Sequence, residues 1–456
     1  MALLTYILIG AVFLGTQILD IELGIAKLSI YRLMIGVLCV LFLILMKKND
    51  SRIKLFRNKL SNYYTGFYVF WFVYAVISVI WSQDLVGWLK SVFFIGTGML
   101  AVLFITFFIT KKSEIVKMYH VLFSMIAMHN FIGWYEILTG TYWFADLNKL
   151  DKYGTFDSQP MTRIPISIYA NQNDYATMLA VGFFILIILF FYQKSNFLKF
   201  SYLIVMVSSF YLILRTQSRA NLLGLLIGIS IMVLVKIGPY VREVLMIKTV
   251  QRIVLVLGFL MVLAMLFMEP VQEMILTILT DNRYANVDLS SSKYNRIYLL
   301  LNGLYFLIRT FGIGVGAGNI EYWMEHLSVF PTFEIVNIHN WWGEILVGYG
   351  LLIFGLYLIM YVSMFIQLYR HFKSSSIHFN RVSSLGLMGL LGAFTVSSIS
   401  SSSMMFAEWQ WVFWGCIIAF IKYSEKTREV THSTEEKYSK IVTKSRSVEN
   451  GQPNIY

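Results

Sequence analysis

Charge is scarce in this chain. Asp, Glu, Lys and Arg make up 14% of its 456 residues, against 57% hydrophobic. Soluble domains carry about a quarter charged residues, so a string of water-soluble domains is excluded despite the length. Cysteine is scarcer still. Cys39 and Cys416 both lie inside apolar runs, which excludes a disulfide framework and a cysteine-built zinc site. Of the six prolines, five fall in polar islands and Pro453 lies in the tail. The apolar runs therefore keep the backbone donors that helices in hydrocarbon need. Also missing are a P-loop, a zinc-ligand helix and a serine-nucleophile elbow. The opening MALLTYILIGAVFLG has no basic n-region and no clear small-residue cleavage site, so it reads as a retained span rather than a signal peptide.

What is present is a series of long apolar runs separated by short charged islands. About 20 apolar residues cross a bilayer core as a helix. The runs predict about twelve spans, near 3–19, 28–46, 66–82, 91–110, 115–138, 171–192, 200–214, 221–238, 252–269, 341–369, 383–402 and 408–422. The expected fold is an all-α integral membrane bundle over 1–422, with a flexible charged tail over 423–456. With the N-terminus inside, cytoplasmic islands hold 25 of the 37 Lys and Arg residues. That bias predicts cytoplasmic termini and assigns the net charge of +12 to the positive-inside rule rather than to nucleic acid. Two outer loops are long, about 139–170 and about 270–340, the second between spans 9 and 10. Within the second, Tyr294, Ile297, Leu301, Leu304 and Ile308 recur at helical spacing from Ser292 to Thr310. The serine cluster Ser397–Ser403 closes a span on the outer side, fitting either close helix packing or a polar cavity.

Arginines on the outer side run against the charge rule. Arg215 and Arg219 stand four apart in RTQSRANLLGL, and one continuous helix would put them on one face. Arg296 opens the amphipathic stretch of the large loop. Snorkelling to headgroups is the simpler account of Arg215 and Arg309. Anion binding is the stronger account of Arg219 and Arg296. His339 stands where the large loop meets the tenth span, and histidine alone exchanges a proton near neutral pH without perturbation. Asn340 fits a helix N-cap, and Glu344 follows it by four residues. The glycines of GIGVGAGN, from Gly312 to Gly318, superficially resemble a dinucleotide loop but lack the βαβ context, and read as a flexible, tightly turning loop. Asp20 and Glu22 form an acidic pair in the first outer loop, too few carboxylates for a metal site by themselves. Tyr142, Trp143, Trp323, Trp341 and Trp342 suit interface anchoring or sugar stacking.

Four segments, in order, carry a resemblance. They are SRANLLGLLIG at 218–228, NRIYLLLNGLYFL at 295–307, GIGVGAGN at 312–319 and HNWWGEILVGYGLLIFGLYL at 339–358. Together with NQNDYATMLA at 171–180, they resemble the O-antigen ligase and Wzy-type polymerase family of bacterial envelope enzymes, across about 165–360. The resemblance implies transfer of a glycan from undecaprenyl diphosphate to a hydroxyl acceptor, without nucleotide sugar, metal or other cofactor. It makes His339, Arg296 and Arg219 the catalytic candidates: the arginines on the diphosphate, the histidine as base. Arg215, Asn340, Glu344, Gly316 and Asn173 are candidates for contact with diphosphate or sugar, Gly316 and Asn340 matching as framework positions. NQND lacks the proline often found beside that asparagine in the family.

The chemistry is consistent with those residue types. Bidentate guanidinium groups match diphosphate charge better than lysines do, and a sugar hydroxyl needs a base as it attacks. Expected partners are the lipid-linked oligosaccharide, membrane lipid, a flippase and chain-length regulators, in a bacterial plasma or inner membrane. A polymerase of repeat units is the leading expectation, for capsule, exopolysaccharide, O-antigen or a teichuronic-acid-type polymer. A ligase acting on another acceptor and a lipid-linked sugar transporter remain open. The last would carry inverted repeats or midplane charges, whereas the informative charges here cluster at the outer edge.

Overall fold

The computed structural model describes residues 1–15, 21–22, 27–47, 59–144, 147–151, 154–245, 292–401 and 403–449. The expected span 252–269 and the first part of the large loop lie outside these residues. The described residues are about 79% helical. Its helices are α1 (Ala2–Ala11), α2 (Ile30–Lys47), α3 (Lys59–Ile77), α4 (Leu85–Phe108), α5 (Lys112–Thr139), α6 (Gln172–Tyr192), α7 (Asn196–Arg215) and α8 (Arg219–Leu245). They continue as α9 (Ser292–Arg309), α10 (Ile320–Leu327), α11 (Trp341–Ser374), α12 (His378–Ser397) and α13 (Glu408–Glu449). Between α1 and α2 a two-residue ladder pairs Ile21 with Leu28 and Glu22 with Lys27. The last helix, α13, continues as far as Glu449, into the stretch expected as a flexible tail.

Among the described residues, eight helices are long and apolar enough to cross a bilayer: α2 through α8 and α11. Their apolar residues face outward as well as inward. On α7, Phe200, Ile204 and Val207 are exposed at helical spacing, while Tyr202, Met206 and Ser209 are buried. A contiguous apolar outer face is unstable in water and natural in lipid. Short polar side chains set where helices start. Asp84 accepts from the Val86 amide, Asn171 from Asn173 and Asp174, and Asn340 from Trp342 and Gly343, which satisfies amides that a first turn leaves unpaired.

The packing places α12 between α6 and α8. A Cβ on Gly228 would strike the Gly389 carbonyl, so α8 and α12 meet backbone to backbone, as small residues allow in membranes. An aromatic cluster holds the start of α11: Trp71 lies 5.4 Å from Tyr349 and 5.7 Å from Trp411, and Trp341 Nε1 donates to the Tyr357 hydroxyl at 2.9 Å.

One expectation is corrected. Arg215 and Arg219 do not share a helix face. Arg215 ends α7, Gln217 turns the chain with φ of 57°, and Arg219 begins α8. Without a continuous helix the four-residue spacing carries no alignment.

Candidate functional site

The GIGVGAGN segment is braced against a broken helix. Inside α11, Gly350 leaves helical geometry (φ 77°, ψ −179°). Backbone groups freed by such a break need new partners, and the glycine loop supplies them. Val315 and Gly316 donate to the carbonyls of Val347 and Gly348 at 2.9 and 3.0 Å, and Leu351 donates to Gly312 at 2.8 Å. At Gly314 φ is +85°, and a Cβ would lie 2.6 Å from the Gly350 nitrogen, so the approach excludes any side chain. The far side of the loop is tied to the turn between α3 and α4. Trp81 Nε1 donates to the Gly314 carbonyl, the Ala317 amide to Ser78 Oγ, and the amides of Gln83 and Asp84 to Asn319 Oδ1. The expected flexible loop is thus a fixed strut, and Gly316 contributes to it through its backbone.

A second junction is the serine loop after α12. The Trp341 amide, at the start of α11, donates to the Ser398 carbonyl. Asn221, at the start of α8, donates to Ser400 Oγ at 3.2 Å and to the Asn173 carbonyl of α6 at 3.2 Å. Thr177 lies 3.0 Å from both Ser401 Oγ and Asn221 Oδ1. The starts of α6, α8 and α11 therefore meet at one end of the bundle, around Ser397–Ser401. The partially positive ends of three helices converge there. The serine cluster serves both options left open by its sequence, joining helices while lining a polar centre.

His339 sits at this junction. Its backbone adopts φ of 51°, a region L-residues enter at a cost of about 1–2 kcal/mol. Its amide donates to Asn337 Oδ1 at 2.9 Å, and Asn340 caps the helix that follows. The imidazole is half-buried and hydrogen-bonded to the Ser401 backbone. Burial, then the nearby Arg296 guanidinium, push its pKa below the ordinary value, with the Ser401 bond opposing them.

Arg296 acts on His339 from α9 through its charge. That helix buries Leu299, Asn302 and Phe306 against the glycine loop and the start of α11. Asn302 Oδ1 accepts from Val329 and Phe330 at 2.9 Å, locking the following segment over it. Part of the apolar stripe read from sequence points the other way: Leu304 and Ile308 are 51% and 68% exposed. The helix buries its polar Asn302 and exposes Leu304 and Ile308, while Ile297 and Leu301 are half-buried.

The arginines fall into three sets. Arg215 donates to the carbonyls of Met161 and Arg163 at 3.0 and 2.8 Å. Arg163 donates to Phe156 and Leu138, both at 2.9 Å, and Arg32 pairs with Glu408 at 2.8 Å. These three hold the protein together. Arg309 stacks on Tyr305. Arg219 is exposed at the start of α8, two residues before Asn221, and Arg296 is half-buried beside His339. Among the described residues neither Arg219 nor Arg296 pairs with a carboxylate. The structure places Arg296 near enough to His339 for its charge to act on the imidazole. It joins Arg219 to them only through Asn221 and the serine loop.

The other candidates fall nearby. Asn173 follows the Asn171 cap in the first turn of α6. Glu344 is buried in the first turns of α11, its Oε2 accepting from the Met405 amide at 3.4 Å. Sequence reasoning missed Asn221, Thr177 and Arg163. An amide and a hydroxyl inside otherwise apolar runs were the available signal for the first two. Asp20 lies outside the described residues, so its pairing with Glu22 is not visible.

The fold and site define a polytopic α-helical membrane protein with a polar, arginine- and histidine-bearing centre at one end of its bundle. The chain is 29% identical over 427 residues to the teichuronic acid biosynthesis protein TuaE of Bacillus subtilis (strain 168), covering 93% of this chain and 85% of that protein. No family model matches it.

Proposed function

We propose that this protein polymerises lipid-linked oligosaccharide repeat units during assembly of an envelope polysaccharide, moving glycan from undecaprenyl diphosphate to a sugar hydroxyl. The observation that carries the reading is His339 at the capped start of α11, its pKa lowered by burial and by the charge of Arg296. Similarity to a teichuronic acid biosynthesis protein across most of the chain supports envelope polysaccharide as the product class.

In this reading neutral His339 accepts the proton of the acceptor hydroxyl as its oxygen attacks the anomeric carbon. The bond from that carbon to the diphosphate breaks, and the carbon inverts. Arg296 and Arg219 match the negative charge that gathers on the departing diphosphate, helped by three helix starts aimed at the same region. Arg296 has a second effect, keeping the imidazole deprotonated and ready. The imidazolium then returns its proton to water. Arginines already committed to backbone carbonyls, Arg163 and Arg215, serve as scaffold.

The proposed topology has twelve spans, both termini in the cytoplasm and the site on the opposite face. There the exposed Leu304 and Ile308 of α9 rest on the lipid interface. A flippase would deliver the donor to that face, and a chain-length regulator would act on the growing product. The test is a polymer-length ladder from cells carrying Arg296→Ala or His339→Ala. Single exported units without long chains are expected, and a normal ladder from either variant would remove the assignment.

A further inference from the structure

Two residues before His339, Asn337 lines a cavity of about 220 Å3 that has no part in the transfer step as written above. Asn337 connects the two, since its Oδ1 receives the His339 amide. Glu344 enters the cavity wall from α11 and is only 5% exposed. Its Oε2 accepts from the Met405 amide at 3.4 Å, while Oε1 has no hydrogen-bond partner. Buried polar atoms are rarely left unmatched, and an unmatched one marks a place where a ligand can supply the bond.

The rest of the lining narrows the ligand. Asp84 and Glu321 add two carboxylates, against one ammonium, Lys90, which sits over the Phe406 ring at 5.1 Å. Among the described residues no three acidic, His or Cys side chains gather closely enough to hold a metal ion. The carboxylates are instead spread around the cavity, as separate acceptors for separate hydroxyls. Tyr349 and Phe406 supply aromatic wall between them. The volume falls below the roughly 300–1,000 Å3 of drug-sized sites, which limits the occupant to about one sugar ring.

We propose that this cavity is the acceptor-sugar subsite, taking one uncharged pyranose ring that donates a hydroxyl to Glu344 and turning away uronate or phosphorylated rings. The inference rests on the transfer reading and adds to it the class of ring presented to His339. Discrimination comes from the excess of carboxylates: an anionic ring entering beside Asp84 and Glu321 meets like charge that Lys90 offsets only in part.

The test is saturation-transfer NMR on the full chain in lipid nanodiscs, with methyl glucoside and methyl glucuronide as probes and no lipid donor. The glucoside should respond, and the glucuronide about tenfold less at equal concentration. Glu344→Leu should lower the glucoside response about tenfold. Glu321→Gln, at an exposed position where folding is not at risk, should raise the glucuronide response. Equal responses to the two rings, no response to the glucoside, or unchanged responses in both variants would overturn the subsite. His339→Ala, measured alongside, separates this from the transfer reading. A normal polymer ladder from that variant defeats the transfer reading whatever the sugar binding. Absent glucoside binding in a protein that needs His339 for long chains defeats the subsite alone.

Discussion

The guanidinium of Arg296, in the first turns of α9, lowers the proton affinity of the His339 imidazole at the threshold of α11. Burial acts in the same direction and more strongly, and a hydrogen bond to the Ser401 backbone acts against both. Two side chains from separate segments thus set one protonation equilibrium.

That coupling predicts a pH dependence with a definite sign. The folded pKa of His339 lies below the ordinary 6.5, so the neutral base persists at neutral pH and is lost as pH falls through the lowered value. Transfer should therefore fall at a more acid pH than a histidine of ordinary pKa would give. Any stability linked to this group is present above 6.5 and declines in the same acid window. Histidine-labelled NMR should show the His339 midpoint rising in Arg296→Gln, because a positive neighbour has been removed. A midpoint that falls or stays put would contradict the pairing.

Arg215 and Arg219 should differ although only three residues stand between them. Removing the Arg215 guanidinium leaves loop carbonyls around Met161 and Arg163 without their donor. Arg215→Ala should destabilise by about 1 kcal/mol, read as a lower melting temperature in detergent and faster proteolysis of the 154–163 segment. Arg219→Ala, at an exposed position, should change stability by no more than about 0.5 kcal/mol while shortening the polymer ladder. Equal effects of the two on both readouts would collapse the distinction.

Gly314→Ala should cost about 1–3 kcal/mol, since φ is +85° and the added carbon meets the Gly350 nitrogen at 2.6 Å. Gly36→Ala is the control, because nothing lies within 4 Å of its Cβ position on α2. Thermal unfolding in the same detergent compares them, and a Gly314→Ala protein as stable as the control would show that the strut tolerates a side chain.

Arg32 and Glu408 form an ion pair at 2.8 Å with side chains 7% and 10% exposed. Glu408→Leu alone should destabilise by about 3–5 kcal/mol by stranding a buried guanidinium. Arg32→Met combined with Glu408→Leu should recover most of that loss in a double-mutant cycle. If the double variant is no more stable than the single one, the pair owes its cost to packing rather than charge.

Much of the fold was legible in the sequence. Apolar runs near 28–46, 171–192 and 200–214 became α2, α6 and α7 with ends displaced by four residues or fewer, because a run of that length and hydropathy has few alternatives to a helix in lipid. The Asn340 cap was legible too, since capping is local chemistry. The orientation of α9 was not: its aliphatic stripe was visible, but which side would be covered depended on Asn302 finding the backbone at Val329 and Phe330.

By itself the sequence determined a membrane-embedded helical chain, the approximate positions of its spans, and the few charged residues at odds with an apolar setting. Those properties follow from near-neighbour composition and period. Only the tertiary structure decided that Arg163 and Arg215 are occupied by carbonyls, that the glycine loop fills the break at Gly350, and that the charge of Arg296 acts on His339. Each of these depends on which polar group meets which across helices distant in the chain, and periodicity carries no information about such partners.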